Sequence, residues 1–155
     1  TIKPANQPAL RGAAFRIEAR IERKSAQDEG VLVALGDVAA GWAFYIKDGH
    51  LVYEQNRKRD GARLQSDRPV PPGASTVAFV FTPDAAGAGG VGRLEIDGVP
   101  AGSSAIAHII PGGATEGMEI GRDELTAAAP GYTAPFRFTG TISRVDFDVT
   151  PQAKR

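Results

Sequence analysis

Several segments of the chain alternate apolar and polar residues with a period of two, the pattern of a β-strand with one buried face. The clearest alternation runs over residues 15–22, where the apolar members are Phe15, Ile17, Ala19 and Ile21. Residues 76–82, 93–97 and 144–149 repeat the pattern. Residues 31–35 are apolar without interruption, which predicts a central strand that is buried on both faces.

Two hairpins are predicted from Asp-Gly pairs. Asp48-Gly49 separates GWAFYIK from HLVYEQN, and Asp97-Gly98 separates RLEI from a short return strand that starts at Val99. Both central residues of a type I′ turn need positive φ, which Asp and Gly tolerate. A two-residue loop at 48–49 sets a register with these opposite pairs: Ile46 with Leu51, Phe44 with Tyr53, Tyr45 with Val52, Ala43 with Glu54, and Lys47 with His50.

The 19 glycines and 11 prolines leave no long amphipathic window for a helix. Many short strands with frequent turns favour an all-β fold, an antiparallel two-sheet jelly-roll sandwich of about a dozen strands. We expect the sandwich to span residues 13–150, with 1–12 as an N-terminal tail or linker and 151–155 as a C-terminal tail. Its predicted core contains Phe15, Ile17, Ile21, Val33, Phe44, Ile46, Leu51, Val77, Phe79, Phe81, Ile96, Val145 and Phe147.

Composition excludes several classes of function. The chain has 155 residues with 18 basic and 18 acidic side chains, so it lacks the basic excess of a nucleic-acid binder. No apolar run approaches the roughly 20 residues of a membrane-spanning helix. Without cysteine there are no disulfides, thiol nucleophiles or thiolate metal sites. Nothing in the sequence decides between the bacterial cytoplasm and a periplasmic or secreted location.

None of the motifs in the sequence predicts a catalytic site. Gly87, Gly89 and Gly92 spell G-x-G-x-x-G, but a strand pattern follows where a phosphate site needs a helix. Glu95 and Asp97 resemble the paired carboxylates of jelly-roll glycoside hydrolases, yet the third acid of that run is missing. The sequence therefore predicts a chain that is not an enzyme. A Ca²⁺ site stays open, because its oxygen ligands come from loops that spacing does not reveal.

Exposed polar and aromatic residues supply the predicted ligand contacts. Among the aromatic residues, Trp42 and Tyr53 fall on the core face of their hairpin, whereas Tyr45 falls on the other face and is predicted to be exposed. Arg57, Lys58, Arg59 and Arg63 form the densest basic cluster, suited to an anionic ligand or a neighbouring domain. The predicted ligand-binding residues are Tyr45, Asn56, Arg57, Arg59, Arg122 and Tyr132, and the predicted metal ligand is Asp123.

Two longer stretches carry a resemblance to a family. GVLVALGDVAAGWAFYIKDGHLVYEQN and MEIGRDELTAAAPGYTAPFRFTGTISRVDFDV resemble the beginning and the end of the C-terminal domain of bacterial arylsulfatases. The resemblance covers roughly Ala13 to Val149. It implies a concanavalin A-like or laminin-G-like jelly roll, a fold that also includes lectins.

That family places catalysis in a separate upstream domain, on a formylglycine made from a Cys/Ser-x-Pro-x-Arg motif. None of the six serines here begins that motif. The resemblance therefore implies an accessory domain that packs on a sulfatase catalytic domain or assists substrate binding. A stand-alone glycan-binding module of the same fold is the alternative, and a glycoside hydrolase of that fold is a third interpretation. Neither nucleic acid nor a membrane is expected as a partner.

Overall fold

The computed structural model describes residues 1–37, 39–56, 61–85, 89–110 and 117–151. It is all-β, and its strand pairs are antiparallel. The described residues form ten strands, compared with the dozen or so expected, and one short 3₁₀ turn at Pro4–Asn6. The strands are β1 (Ala13–Arg23), β2 (Gly30–Gly36), β3 (Gly41–Lys47), β4 (His50–Asn56), β5 (Arg63–Pro69), β6 (Gly73–Pro83), β7 (Gly90–Ile96), β8 (Val99–Ile106), β9 (Met118–Ile120) and β10 (Thr141–Pro151).

Two five-stranded sheets pack face to face. Sheet I has the order β10-β1-β6-β7-β8, and sheet II has the order β5-β4-β3-β2-β9. The predicted two-sheet sandwich is therefore confirmed. No helix in the described residues is long and apolar enough to cross a bilayer.

The space between the sheets is filled by the predicted core residues. Tyr53 of sheet II stacks on Phe79 of sheet I with ring centroids 3.7 Å apart, and Trp42 lies beside Tyr53. Each such aromatic side chain contributes about 1.5–3 kcal/mol by leaving water. Val145 and Phe147 are only partly buried because they lie on β10, an edge strand.

Both predicted hairpins are confirmed. Asp48 and Gly49 have φ of 52° and 79°, and Asp97 and Gly98 have φ of 51° and 77°. The register of β3 against β4 pairs the residues that the two-residue loop predicted. The predicted central strand β2 is buried along its whole length. Of the G-x-G-x-x-G run, Gly89 directly precedes strand β7 and Gly92 lies within it, so a strand and not a helix follows.

Parts of the segment 1–12, which we expected to be a tail or linker, contact the sandwich, although most of its residues are exposed. Ile2 donates from its backbone nitrogen to the Met118 carbonyl at 2.7 Å, and Leu10 is 1% exposed. The bridge between Ile2 and Met118 covers the outer edge of β9, which is an edge strand among the described strands. At the other end, β10 continues to Pro151, and residues 152–155 lie outside the described residues.

Candidate functional site

The outer face of sheet II is covered by the chain itself. The segment that joins β9 to β10 folds back over this face, and its apolar side chains form a second cluster with those of the sheet. The cluster contains Val31, Ala34, Ala43, Tyr45, Val52, Ala128, Ala129 and Tyr132, with Ala127 and Phe136 at its margin. Residues 121–136 are called the cover segment below.

Two buried carboxylates hold the cover segment in place. The Asp123 Oδ2 accepts from the Ala128 backbone nitrogen at 2.8 Å and from the Tyr132 hydroxyl. The Glu54 Oε1 accepts from the Tyr45 hydroxyl at 3.0 Å and from the Gly131 nitrogen at 2.7 Å. A side chain at position 131 would collide with both Glu54 and Tyr45, so glycine is needed there.

The prediction that Tyr45 is exposed is wrong, because this residue is fully buried. The alternation placed Tyr45 correctly on the outer face of sheet II, but at this position that face is not exposed to solvent. Tyr132 is buried beside it, with ring centroids 5.1 Å apart. Burial raises the pKa of both hydroxyls, and the neighbouring carboxylates Glu54 and Asp123 raise them further. These two predicted ligand contacts are therefore enclosed within the protein.

Asp123, the predicted metal ligand, is 3% exposed and accepts hydrogen bonds from groups of the cover segment. Within the described ranges, no three His, Cys, Asp or Glu side chains converge as a metal site. The structure thus places Asp123 where it anchors the chain locally.

The remaining predicted contacts do not come together. Asn56 ends β4, whereas Arg122 follows β9, and β3 and β2 lie between those strands. The Arg122 side chain is 41% exposed, with its Nε 3.9 Å from the Glu119 Oε1. Arg57 and Arg59 lie outside the described residues.

All eleven aromatic side chains lie in the described part of the chain, and none of them is exposed. Nine are buried, while Phe136 and Phe147 are partly buried. The protein surface therefore has no fully exposed aromatic side chain on which a sugar ring could stack.

The outer face of sheet I is open and charged. In its middle, Glu95 accepts from Arg16 at 2.8 Å and from Arg93 at 2.7 Å, and Arg16 also donates to Glu18. Burial alone would raise the pKa of Glu95, but the hydrogen bonds from Arg16 and Arg93 overcome this and hold it below the usual value. These charges satisfy one another.

A polar groove lies at one end of this open face. It encloses about 320 Å³, near the lower limit of the roughly 300–1,000 Å³ found for ligand sites. Its lining residues come from β1, β6, β10 and the 97–98 turn: Arg20, Ile21, Glu22, Ala74, Ser75, Thr76, Asp97, Thr141 and Ser143. This feature is called the sheet I groove below.

The charged groups of the sheet I groove differ from those in the middle of the sheet. Arg20 and Glu22 are exposed, and neither forms an ion pair or a side-chain hydrogen bond within the described residues. Asp97 Oδ1 accepts from the Thr76 nitrogen at 2.9 Å. Ser143 lies at a β-bulge where the register of β1 and β10 shifts, and its hydroxyl donates to the Arg20 carbonyl at 3.2 Å. Bulges are over-represented beside binding sites because they redirect side chains.

Sequence reasoning did not single out these groove residues. In the alternation over residues 15–22, Arg20 and Glu22 are polar members of the strand, and nothing in that pattern marks them as part of a site. Their lack of partners and the bulge at Ser143 depend on how β10 pairs with β1, which the order of residues does not reveal.

A second, more apolar groove of about 460 Å³ runs beside β10. It is lined by Ile2, Asn6, Pro8, Ile120, Ile142, Ser143, Arg144, Val145 and Phe147. It lies on the side of the sandwich where β10 and β9 are the edge strands.

Comparison with solved structures agrees with the fold. The chain is similar to mouse laminin α1 domains LG4-5, with a TM-score of 0.68, 10% identity, and coverage of 92% of this chain and 36% of that one. It is similar to the CBM40 of Ruminococcus gnavus IT-sialidase, with a TM-score of 0.61, 18% identity, and coverage of 94% and 79%. Sheep galectin-11 gives a TM-score of 0.52, 13% identity, and coverage of 90% and 93%.

These similarities identify the fold as a jelly-roll sandwich of the laminin-G and galectin type. The chain spans about a third of the laminin structure that it matches. No protein-family model and no curated protein matches the chain. Nothing in the comparisons links it to the arylsulfatases that the two sequence stretches resemble.

Proposed function

We propose that the chain is a non-catalytic carbohydrate-binding module and that the sheet I groove receives a sugar unit. The observation that carries the proposal is the open groove in which Arg20 and Glu22 have no side-chain partner among the described residues. Unpaired charged groups can bind a ligand without first breaking an ion pair. Arg16, Arg93 and Glu95, by contrast, would have to give up existing contacts.

The groove offers both kinds of hydrogen-bonding group that sugar hydroxyls use. The Arg20 guanidinium supplies donors, and the Glu22 carboxylate supplies acceptors. Thr76, Thr141 and Ser143 add hydroxyl groups. A polyhydroxylated ligand can satisfy such mixed groups, whereas an apolar ligand would leave them unpaired at a cost.

The solved neighbours add support at the level of the fold. The R. gnavus CBM40 was solved bound to α2,3-sialyllactose, and the galectin was solved with glycerol. Because the same fold hosts many functions, the groove itself and not the likeness has to carry the assignment.

A hydrolytic role is disfavoured by the state of the two carboxylates that suggested it. Both Glu95 oxygens accept from arginines, and Asp97 sits in the hairpin turn with an oxygen bound to the Thr76 nitrogen. Neither resembles a carboxyl held ready to protonate a glycosidic oxygen. We expect no turnover of polysaccharide.

An accessory role beside an arylsulfatase catalytic domain stays a prediction from the sequence resemblance. It is compatible with sugar binding, since an accessory domain can hold the substrate. Sequencing of the full-length gene upstream of Thr1 tests it, because that role requires a formylglycine motif there.

The groove is tested with an array of neutral and acidic oligosaccharides, followed by calorimetric titration of the best binder. Arg20→Ala and Glu22→Gln each remove a charged hydrogen-bonding group, and we expect each to weaken binding by about tenfold or more. Arg137→Ala is the matched control, since Arg137 is exposed, paired with Glu124 and outside the groove. A wild-type chain that binds no saccharide would refute the proposal.

The same titration compares the groove with the basic cluster predicted from the sequence. Arg57→Ala and Arg59→Ala are expected to leave affinity within about twofold. Loss of binding in these variants, with Arg20→Ala unaffected, would place the sugar beside Asn56 and away from the groove.

A further inference from the structure

Two open sheets leave four edge strands, which are β10 and β8 in sheet I and β5 and β9 in sheet II. An edge strand presents a row of unpaired backbone N–H and C=O groups, and proteins usually cover or disrupt such edges. The four edge strands differ in whether another part of the chain covers them.

Three of the edges are covered by other parts of the chain. Ile2 forms an antiparallel bridge with Met118 of β9, with two backbone hydrogen bonds of 2.7 and 3.1 Å. β5 and β8 approach each other on the closed side of the sandwich. There, the Arg68 guanidinium donates to the carbonyls of Pro100 at 3.1 Å and Val99 at 3.3 Å.

The fourth edge, β10, is the exception. It is eleven residues long, and in the described part of the chain it pairs with β1 alone. The side chains that it directs between the sheets are only partly buried: Ile142, Val145, Phe147 and Val149. Three of them line the apolar groove beside this edge. β10 thus leaves both a hydrogen-bonding edge and apolar surface available.

We propose that a second copy of this chain pairs antiparallel with β10 about a two-fold axis at Val145, joining the two copies of sheet I into one ten-stranded sheet. Charge complementarity selects this occupant and register. The outer-face charges of β10 are Arg144, Asp146 and Asp148. Only side chains on the same face come opposite each other in a continuous sheet, so the axis must pass through a residue.

Each register across residues 144–147 can then be compared. An axis at Val145 places Arg144 of each copy opposite Asp146 of the other, which gives two favourable pairs. An axis at Arg144 opposes the two copies of Arg144, and an axis at Phe147 opposes Asp146 with Asp148. An axis at Asp146 places Arg144 opposite Asp148 but opposes the two copies of Asp146. Of these four registers, only the axis at Val145 forms favourable pairs without opposing like charges, and there Val145 meets Val145 on the apolar side.

The arrangement has a consequence that rests on the proposed function. Thr141 and Ser143 belong to the sheet I groove and lie within four residues of the axis. The two grooves would open on one face of the joined sheet. A ligand with two suitably spaced sugar units could then bind both and gain affinity from the effective concentration.

Sedimentation equilibrium across the micromolar range, without sugar, tests the dimer independently of ligand binding. We expect Arg144→Asp and Asp146→Arg each to raise the dimer dissociation constant by about tenfold or more, because both cross-axis pairs become repulsive. The double variant with both substitutions restores opposite charges, and it should return to within about threefold of the wild type. Arg137→Asp, away from β10, serves as the charge-reversal control.

Thermal unfolding checks that each variant is folded, since the single substitutions also break the exposed pair between Arg144 and Asp146. A wild-type chain that stays monomeric throughout would overturn the proposal. So would a dimer that neither single variant weakens, or one that the double variant fails to restore.

Discussion

The two outer faces of this sandwich are built differently. The face of sheet II is apolar, is covered by residues 121–136, and contains aromatic and carboxylate groups that bond to one another. The face of sheet I is charged and open, with a groove at one end where Arg20 and Glu22 have no side-chain partner in the described residues. Aromatic residues on the outer face of a sheet therefore do not by themselves identify a binding surface. Another segment of the same chain can pack over them and bury them in a second hydrophobic cluster.

Alkaline pH should have the largest effect, because it acts on the buried tyrosines: Tyr45 and Tyr132 on the covered face of sheet II, and Tyr53 between the sheets. Burial raises the pKa of all three tyrosines above the ordinary value of about 10. The folded state therefore keeps protons that the unfolded state releases, and stability falls as the pH rises above 10. The expected loss is about 1.4 kcal/mol per tyrosine at pH 11, or about 4 kcal/mol in all.

The check is denaturant unfolding at pH 8 to 11, with tyrosinate absorbance recorded in parallel. Tyr45→Phe combined with Tyr132→Phe should leave only the dependence due to Tyr53. Tyrosinate absorbance that appears near pH 10 in the folded protein would contradict the burial of these groups.

Removal of the carboxylate that anchors the cover segment should have the next largest effect. Asp123→Ala leaves the buried Ala128 nitrogen and the Tyr132 hydroxyl without their acceptor. We expect the free energy of unfolding to fall by about 3 kcal/mol. Glu22→Ala on the open face removes an exposed side chain that has no side-chain partner among the described residues, and in the absence of sugar it should change the free energy of unfolding by less than about 0.5 kcal/mol. Equal effects of the two variants in chemical denaturation would remove the contrast between the faces.

The ion pairs in the middle of the open face should contribute least. Glu95→Gln weakens the contacts with Arg16 and Arg93, and we expect a loss of about 1 kcal/mol at pH 7. Because the pKa of Glu95 is lowered on folding from its ordinary value of 4.5, its contribution is fully present above that pH and is lost as the pH falls through the lower, folded-state pKa. The difference in unfolding free energy between the variant and the wild type should therefore be smaller at pH 3 than at pH 7. A difference that is equally large at both pH values would show that the effect is not electrostatic.

Local signals in the sequence predicted most of the fold. The period-two alternation located β1, β6 and β10, and the Asp-Gly pairs set the register of β3 against β4. Arg23 illustrates where this reasoning stops. It occupies a core-facing position of β1 and is 1% exposed, because its guanidinium donates to the carbonyls of Ala26, Asp28 and Val70. The Val70 contact joins loops that are far apart in sequence.

The candidate site was less accessible from the sequence for the same reason. The alternation correctly assigned Tyr45 to the outer face of its sheet, but the covering of that face depends on contacts with Gly131 and Tyr132, some 85 residues away. Likewise, Arg20 and Ser143 meet only through the pairing of the first and last strands. Patterns within one strand cannot report such long-range neighbours.

The central claim is that the open face of sheet I, and not the covered face of sheet II, receives a sugar. Backbone amide shifts in a ¹H–¹⁵N NMR titration with the best array binder test it most directly. We predict saturable shifts at Arg20, Glu22, Thr76 and Ser143, with residues 121–136 unchanged. The claim would be contradicted if the amide shifts changed only in the cover segment or near Asn56, while those of the groove residues did not change.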